Sequence, residues 1–393
     1  MCTRRVFHLG LLLFLVGACT TAPITGRRQF MLISESTEIA EGEAAYRDIL
    51  RQSVISHEAE AARIVRKVGE RIARVANKPN YQWEFNVIDD PEMANAFAVP
   101  GGKVAVYTGI FPAAKDEAGL AVVLGHEVAH ALARHGAERM SQSMVVQLGA
   151  VGLGVGFGNP QVLQAYGLGT ALGIILPFSR SQELEADRIG LRLMAQAGYD
   201  PRASLELWQR MEKEAAAKGQ EAPPGFLSTH PGYEKRTEQL RAWLPEALKF
   251  YRPSNQAMEA LPSLASLDSP NAQAERELLK RIQAVNQLAR NAGGQRAVLE
   301  TLGYELRISP TLLAKELQQV QLDFGHYSAL KGVTHLGRGS LSQVLATFKS
   351  NASWTDISRR HGTQITDLLR FMRQLLTTAS RVQGQLRYRA PMR

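Results

Sequence analysis

Apolar residues recur at helical spacing over Glu35–Gln52 (Ile39, Ala40, Ala44, Ile49) and Glu58–Val75 (Ile64, Val65, Val68, Ile72), which predicts two amphipathic helices. From Tyr81 to Ile88 the period changes to alternation, with Trp83, Phe85 and Val87 set against polar neighbours, so a half-buried strand is expected. Asp89-Asp90-Pro91 reads as a turn, and a second strand runs from Lys103 to Thr108 behind a Gly101-Gly102 turn. The helical period returns over Glu117–Met140, starting near Asp116. A Gly-, Ala-, Val- and Leu-rich stretch over 144–178 has two apolar halves, each of about 15 residues and too short to span a bilayer. A mobile apolar cover or a buried hairpin is expected there. Further helices are expected over Ser181–Gln196, through Trp208 and Met211, and over Glu234–Leu244. The Pro-, Ser- and Ala-rich stretch Tyr251–Asn271 reads as a linker. Beyond it, Glu275–Leu302, Pro310–Leu322, Ser340–Phe348 and Trp354–Thr377 read as helices without a fixed repeat period.

Composition adds three things. With 393 residues and 45% hydrophobic content the chain can hold two globular domains. Its +9 charge is uneven: from Gln273 onward there are 18 Lys and Arg against 8 Asp and Glu, while the preceding part is near neutral. Both cysteines, Cys2 and Cys19, lie in the first twenty residues, so the body has neither a disulfide nor a thiolate ligand. Arg4-Arg5, an apolar run over Val6–Val16 and the small residues before Cys19 have the form of a signal peptide. Val16-Gly17-Ala18-Cys19 resembles a bacterial lipobox, so cleavage before Cys19, acylation of Cys19 and a periplasmic location, lipid-anchored at the outer membrane, are expected.

The chemistry concentrates in His126-Glu127-Val128-Ala129-His130, an H-E-x-x-H pattern. Residues four apart share a helix face, so His126 and His130 can offer two imidazoles to one ion while Glu127 takes a proton from water beside it. A third histidine six residues after the second would mark the metzincin class; that position is Gly136, and His135 is one step off. His135 is therefore expected to cap or pack at the helix end. Glu183-Leu184-Glu185-Ala186-Asp187 offers a different third ligand, with Glu183 and Asp187 on one face and Glu185 pointing elsewhere. Asp187 can then fix the tautomer of a ligand imidazole. The alternative for this run is a solvated acidic face.

Gly125–His130, Ser179–Asp187 and Ser228-Thr229-His230-Pro231 together resemble the zinc metallopeptidases of the HtpX, CAAX prenyl protease and BepA-like family. The resemblance implies one zinc ion held by His126, His130 and Glu183, with Glu127 as general base. It also implies that His230 approaches the zinc and blocks or tunes the open site; a loop histidine that binds the oxyanion or packs is the alternative. Arg236 is a candidate for oxyanion stabilisation or for pairing with Asp187. Asn95, Phe97, Gly101 and Gly102 are expected on an edge strand to which an extended peptide substrate could add.

The expected fold is α+β: a mainly helical zincin-type domain (35–250) with a small sheet beside the motif helix, and a separate all-α, basic module (273–393). Residues 1–18 are expected as the signal, 19–34 as a tether and 251–272 as a linker. The expected function is zinc-dependent endoproteolysis of unfolded or misassembled envelope proteins; the rival is a chaperone-like or envelope-binding lipoprotein with a latent zinc site. For the basic module, an anionic envelope component or a partner protein is expected. A faint helix-turn-helix pattern over Trp354–Ile365, with Arg370 and Arg373 following, does not outweigh the export signal, so no nucleic acid is expected.

Overall fold

The computed structural model describes residues 19–22, 24–56, 58–152, 179–217, 230, 233–253, 257–350 and 352–389. The expected signal peptide, the 153–178 part of the expected cover, and Ser228, Thr229 and Pro231 lie outside the described residues. The chain divides into two compact units, one of Met1–Leu50 and Glu58–Leu264, the other of Arg51–His57 and Ala265–Arg393.

In the first unit, β1 (Cys19–Thr21) pairs antiparallel with β2 (Arg28–Phe30). Residues 19–34 are therefore not a free tether, and the reason is polar. Gln29 Nε2 donates to Ala133 O at 2.5 Å, the Leu32 N–H donates to Ser141 Oγ at 2.9 Å, and Arg27 reaches the buried Glu138 and Glu185. Helix α1 (Glu35–Arg51) forms as expected but buries Glu38, Gly42, Ala45 and Tyr46 and leaves Ala40 and Ala44 exposed, whereas α2 (Ala59–Ala76) follows the predicted periodicity, with Ile64, Val65, Val68 and Ile72 fully buried.

The sheet has the order β3-β5-β4: β3 (Glu84–Ile88) runs parallel to β5 (Lys103–Tyr107), and β4 (Ala96–Val99) is antiparallel to β5 on the outer edge. Gly101 (φ 92°) and Gly102 (φ 87°) make the reversal between β4 and β5, a left-handed backbone that side chains resist. Their carbonyls accept hydrogen bonds from the Gln82 and Glu84 N–H groups, both at 2.9 Å. Gly101 and Gly102 are thus turn residues between β4 and β5, with their carbonyl acceptors occupied.

The motif helix α3 (Glu117–Leu132) is capped by Asp116, whose carboxylate accepts from the N–H groups of Ala118 and Gly119, and packs against β4. It ends earlier than expected. Arg134 turns left-handed (φ 56°), held by Glu38 Oε2 at 2.7 Å and Ile33 O at 2.8 Å, and α4 (His135–Gly152) starts afresh. Helix α5 (Arg180–Gln196) opens with a capping box between Ser179 and Gln182. It crosses α3 where Gly125 meets Gly190: a Cβ on Gly190 would lie 3.0 Å from Gly125 C and His126 N. Helices α6 (Ala203–Ala217) and α7 (Tyr233–Leu248) follow. The expected linker is fastened in its middle. Ala260 bridges Asp116, the Leu261 N–H donates to Lys115 O at 2.9 Å, and Lys67 Nζ joins Glu117 (2.7 Å) and Glu259 (2.6 Å).

From Pro270 onward the second unit is built of helices: α8 (Pro270–Arg290), α9 (Gly294–Leu306), α10 (Pro310–Val320), α11 (Phe324–Leu336), α12 (Leu341–Lys349), α13 (Trp354–Arg360) and α14 (Ile365–Arg389). Two helices expected as continuous are broken, at Gly293 (φ 74°) and at Gly362 (φ 76°). Helix α11 has no counterpart in the periodicity because even its His326, Ser328 and Lys331 are buried, which leaves no polar face. Among the described residues no helix is long and apolar enough to cross a membrane.

Candidate metal centre

One helical turn places His126 and His130 on the same face of α3, with their Nε2 atoms 3.1 Å apart. Glu183 comes from the first turn of α5. Its Oε2 lies 3.4 Å from His126 Nε2 and its Oε1 3.4 Å from His130 Nε2. His230 Nδ1 completes the group, 3.2 Å from His126 Nε2 and 3.0 Å from Glu183 Oε1. All four side chains are buried, and their ligand atoms lie within 4.8 Å of one another. Two imidazole nitrogens at this distance present lone pairs to one point, which is unfavourable without a proton or cation between them. Ligands about 2.0–2.1 Å from a tetrahedral zinc are about 3.3 Å from each other, so the donor types and their spacing fit zinc.

The electrostatics separate the two histidines. Burial would lower the His126 imidazole, but hydrogen bonds to Asp187 and Glu183 outweigh it and raise it to about 9. Burial holds His130 well below the ordinary histidine value, against the pull of Glu183. Burial also works against the Glu183 carboxylate, yet His230 and Arg236 hold it well below the usual carboxylate range.

Behind the ligands stand their orienting partners. Asp187 Oδ1 is 3.0 Å from His126 Nδ1, as the spacing on α5 predicts. Arg236 Nε and Nη2 donate to the two Asp187 oxygens at 2.7 Å each, while Nη1 lies 2.7 Å from Glu183 Oε2. Its guanidinium stacks on Trp208 at 4.2 Å. Of the two roles considered for Arg236, the geometry shows the pairing with Asp187. His135 does not cap the helix. Its Nδ1 lies 2.8 Å from His130 Nδ1 and its Nε2 3.0 Å from Glu185 Oε2. Glu127 Oε1 is buried and accepts no hydrogen bond, although His230 Nε2 is 3.3 Å away. Burial raises its carboxyl, with His230 and His126 opposing.

The structure thus gathers His126, Glu127, His130, Glu183, Asp187, His230 and Arg236 at one place. Asn95 and Phe97 lie elsewhere on the same unit, at and on β4, and the Phe97 ring is buried against Tyr46 and Tyr107. The sequence reading passed over Arg27, His135 and Glu185 as parts of the site. Their signal was only the odd placement of a histidine one step from a known ligand position.

The model of peptidase family M48 matches residues 59–244, a range that contains the whole cluster. Over 252 residues the chain is 40% identical to the mitochondrial metalloendopeptidase OMA1 of Schizosaccharomyces pombe, an alignment covering 62% of this chain and 72% of that protein. The chain belongs to peptidase family M48. It is 33% identical to the mitochondrial metalloendopeptidase OMA1 of Homo sapiens over 260 residues, 62% of this chain and 49% of the human protein. The beta-barrel assembly-enhancing protease of Escherichia coli matches at 28% over 229 residues, 56% of this chain and 46% of that one. As an M48 member the protein is a metalloendopeptidase, and it acts on protein substrates. One expectation is overturned. The relatives at 40% and 33% identity are named as mitochondrial proteases, above the bacterial match, so the periplasmic, outer-membrane location does not stand.

Proposed function

We propose that this M48 peptidase is a zinc-dependent endopeptidase that cleaves extended segments of unfolded or misassembled proteins, with His126, His130 and Glu183 holding one zinc ion. The observation that carries the reading is the convergence of two Nε2 atoms and a carboxylate within 3.4 Å, with the Glu127 carboxylate beside them. Bound there, zinc would polarise a peptide carbonyl and acidify water. Glu127 then takes the proton of the attacking water on a carboxylate oxygen and delivers it to the leaving amine nitrogen. Asp187, fixed by Arg236, holds the His126 ring by its Nδ1. His230 lies against both the ligand cluster and Glu127, which supports the reading that it covers the open site until a substrate displaces it. Asn95 and Phe97 lie at and on β4, an edge strand among the described residues, and such an edge suits strand addition by an extended chain, a mode that reads backbone rather than side chains. The relatives' names as metalloendopeptidases support the activity. The basic second unit is proposed to contact an anionic surface or a partner protein.

The test is zinc stoichiometry and casein cleavage for the wild type beside Glu127→Gln. The variant is expected to keep one zinc per chain and to lose cleavage by about 10²- to 10⁴-fold. Cleavage at the wild-type rate would remove Glu127 from the mechanism, and a wild-type protein without zinc would remove the metal assignment.

A further inference from the structure

We propose that His135 and Glu185 are positioning residues for His130, seated by Arg27 and Thr25 of the N-terminal hairpin. The inference rests on His130 being a metal ligand through Nε2. The hydrogen bonds then have one consistent order. With its Nε2 lone pair turned to the ion, His130 carries its proton on Nδ1 and donates to His135 Nδ1, 2.8 Å away. His135 must accept there, so its proton sits on Nε2 and is donated to Glu185 Oε2 at 3.0 Å. The reverse order would put a proton on His130 Nε2, facing His126 Nε2 at 3.1 Å, and would exclude a cation.

Glu185 is buried and ends the chain of donors. It is held by Arg27 Nε at 2.5 Å and by the Thr25 hydroxyl, both from the segment between β1 and β2. The other two Arg27 nitrogens grip Glu138 on α4 at 2.8 and 2.7 Å, and Gln182 on α5 donates to the same carboxylate at 2.9 Å. The two ligand histidines are therefore oriented differently: His126 directly by a carboxylate, His130 through a second imidazole whose carboxylate depends on an arginine more than a hundred residues earlier. Partners of this kind fix the ring and raise ligand basicity, and their loss costs about 10- to 100-fold in metal affinity.

The experiment is zinc affinity by competition with a chelator, on the full chain, for the wild type, His130→Ala, His135→Phe, His135→Asn and Arg27→Ala, with the thermal midpoint of each metal-free protein alongside. His135→Phe is expected to lose about 10- to 100-fold. His135→Asn should recover most of this, because its side-chain carbonyl can still accept from His130 Nδ1, and Arg27→Ala should lose affinity in the same direction. Wild-type affinity in His135→Phe, or an equal loss in the Phe and Asn variants, would overturn the proposal in favour of simple packing. If His135→Phe does not fold, Arg27→Ala at the rim of the network decides: unchanged affinity overturns the proposal. His130→Ala separates the two levels. If it binds zinc as tightly as the wild type, the ligand assignment fails; if it loses zinc while His135→Phe does not, the relay alone fails.

Discussion

Arg236 is 1% exposed yet carries a full charge, and its three donor nitrogens are spent on Asp187, Glu183 and the His230 carbonyl. Removing it would break the buried bidentate pair with Asp187 and take a donor from Glu183, and breaking a buried pair costs about 3–5 kcal/mol. Arg236→Ala is therefore expected to lower the denaturant midpoint sharply and to weaken zinc binding. Arg236→Lys should recover little, because an ammonium cannot span both Asp187 oxygens; full recovery by Lys would show that charge alone suffices. His230 gives the opposite sign. Because its imidazole lies in the cluster and against Glu127, His230→Ala is expected to raise basal casein cleavage several-fold, and an unchanged rate would end its role as a cover. His126, Glu127, His130, Glu183 and Asp187 were legible in the sequence because each depends on spacing within one helix. His135 was not, since its partner Glu185 is fifty positions away and belongs to another helix. Arg236 was legible as a candidate but not as to role, which a guanidinium's surroundings decide.

Between elements, the site depends on how closely α3 and α5 approach. Gly125 and Gly190 let the two backbones touch, which brings Glu183 within reach of both histidines. Gly190→Ala would place a methyl 3.0 Å from Gly125 C and His126 N, so the helices must part. Overpacking of this kind costs about 1–3 kcal/mol, and zinc affinity, read by chelator competition, should fall with it. Gly136→Ala is the control: its Cβ meets nothing within 4 Å, and it should leave zinc affinity unchanged. An unaffected Gly190→Ala would mean that the crossing does not set the ligand distances. The start of α3 was well marked by Asp116, whereas α5 begins at Arg180 behind a Ser179 cap that was not read, and the end of α3 was misplaced. The break at Arg134 rests on Glu38 and Ile33 O, contacts made by distant residues and invisible to local periodicity.

At the scale of the peptidase unit, the segment read as a linker is tied back by charge. Arg63 and Lys67 hold Glu259 down to about 2, below its usual 4.5, so the unfolded chain binds a proton that the folded one does not. The stabilisation is present above about pH 4.5 and is lost as pH falls toward 2. Denaturation midpoints of the wild type and Glu259→Gln should differ near pH 6 and converge across that window; a constant difference would show that the ion pairs contribute nothing. The division between the units falls at Leu264 and Ala265, inside the stretch that composition marks by its Pro content. The tie at Ala260 was not legible, since Asp116 lies far away in sequence.

The hairpin at residues 19–30 also has a consequence for the order of events during synthesis. Arg27 is translated early, yet its partner Glu185 follows 158 positions later, and closing so long a loop is entropically slow to be rewarded. The segment therefore cannot complete its contacts until α4 and α5 have been synthesised.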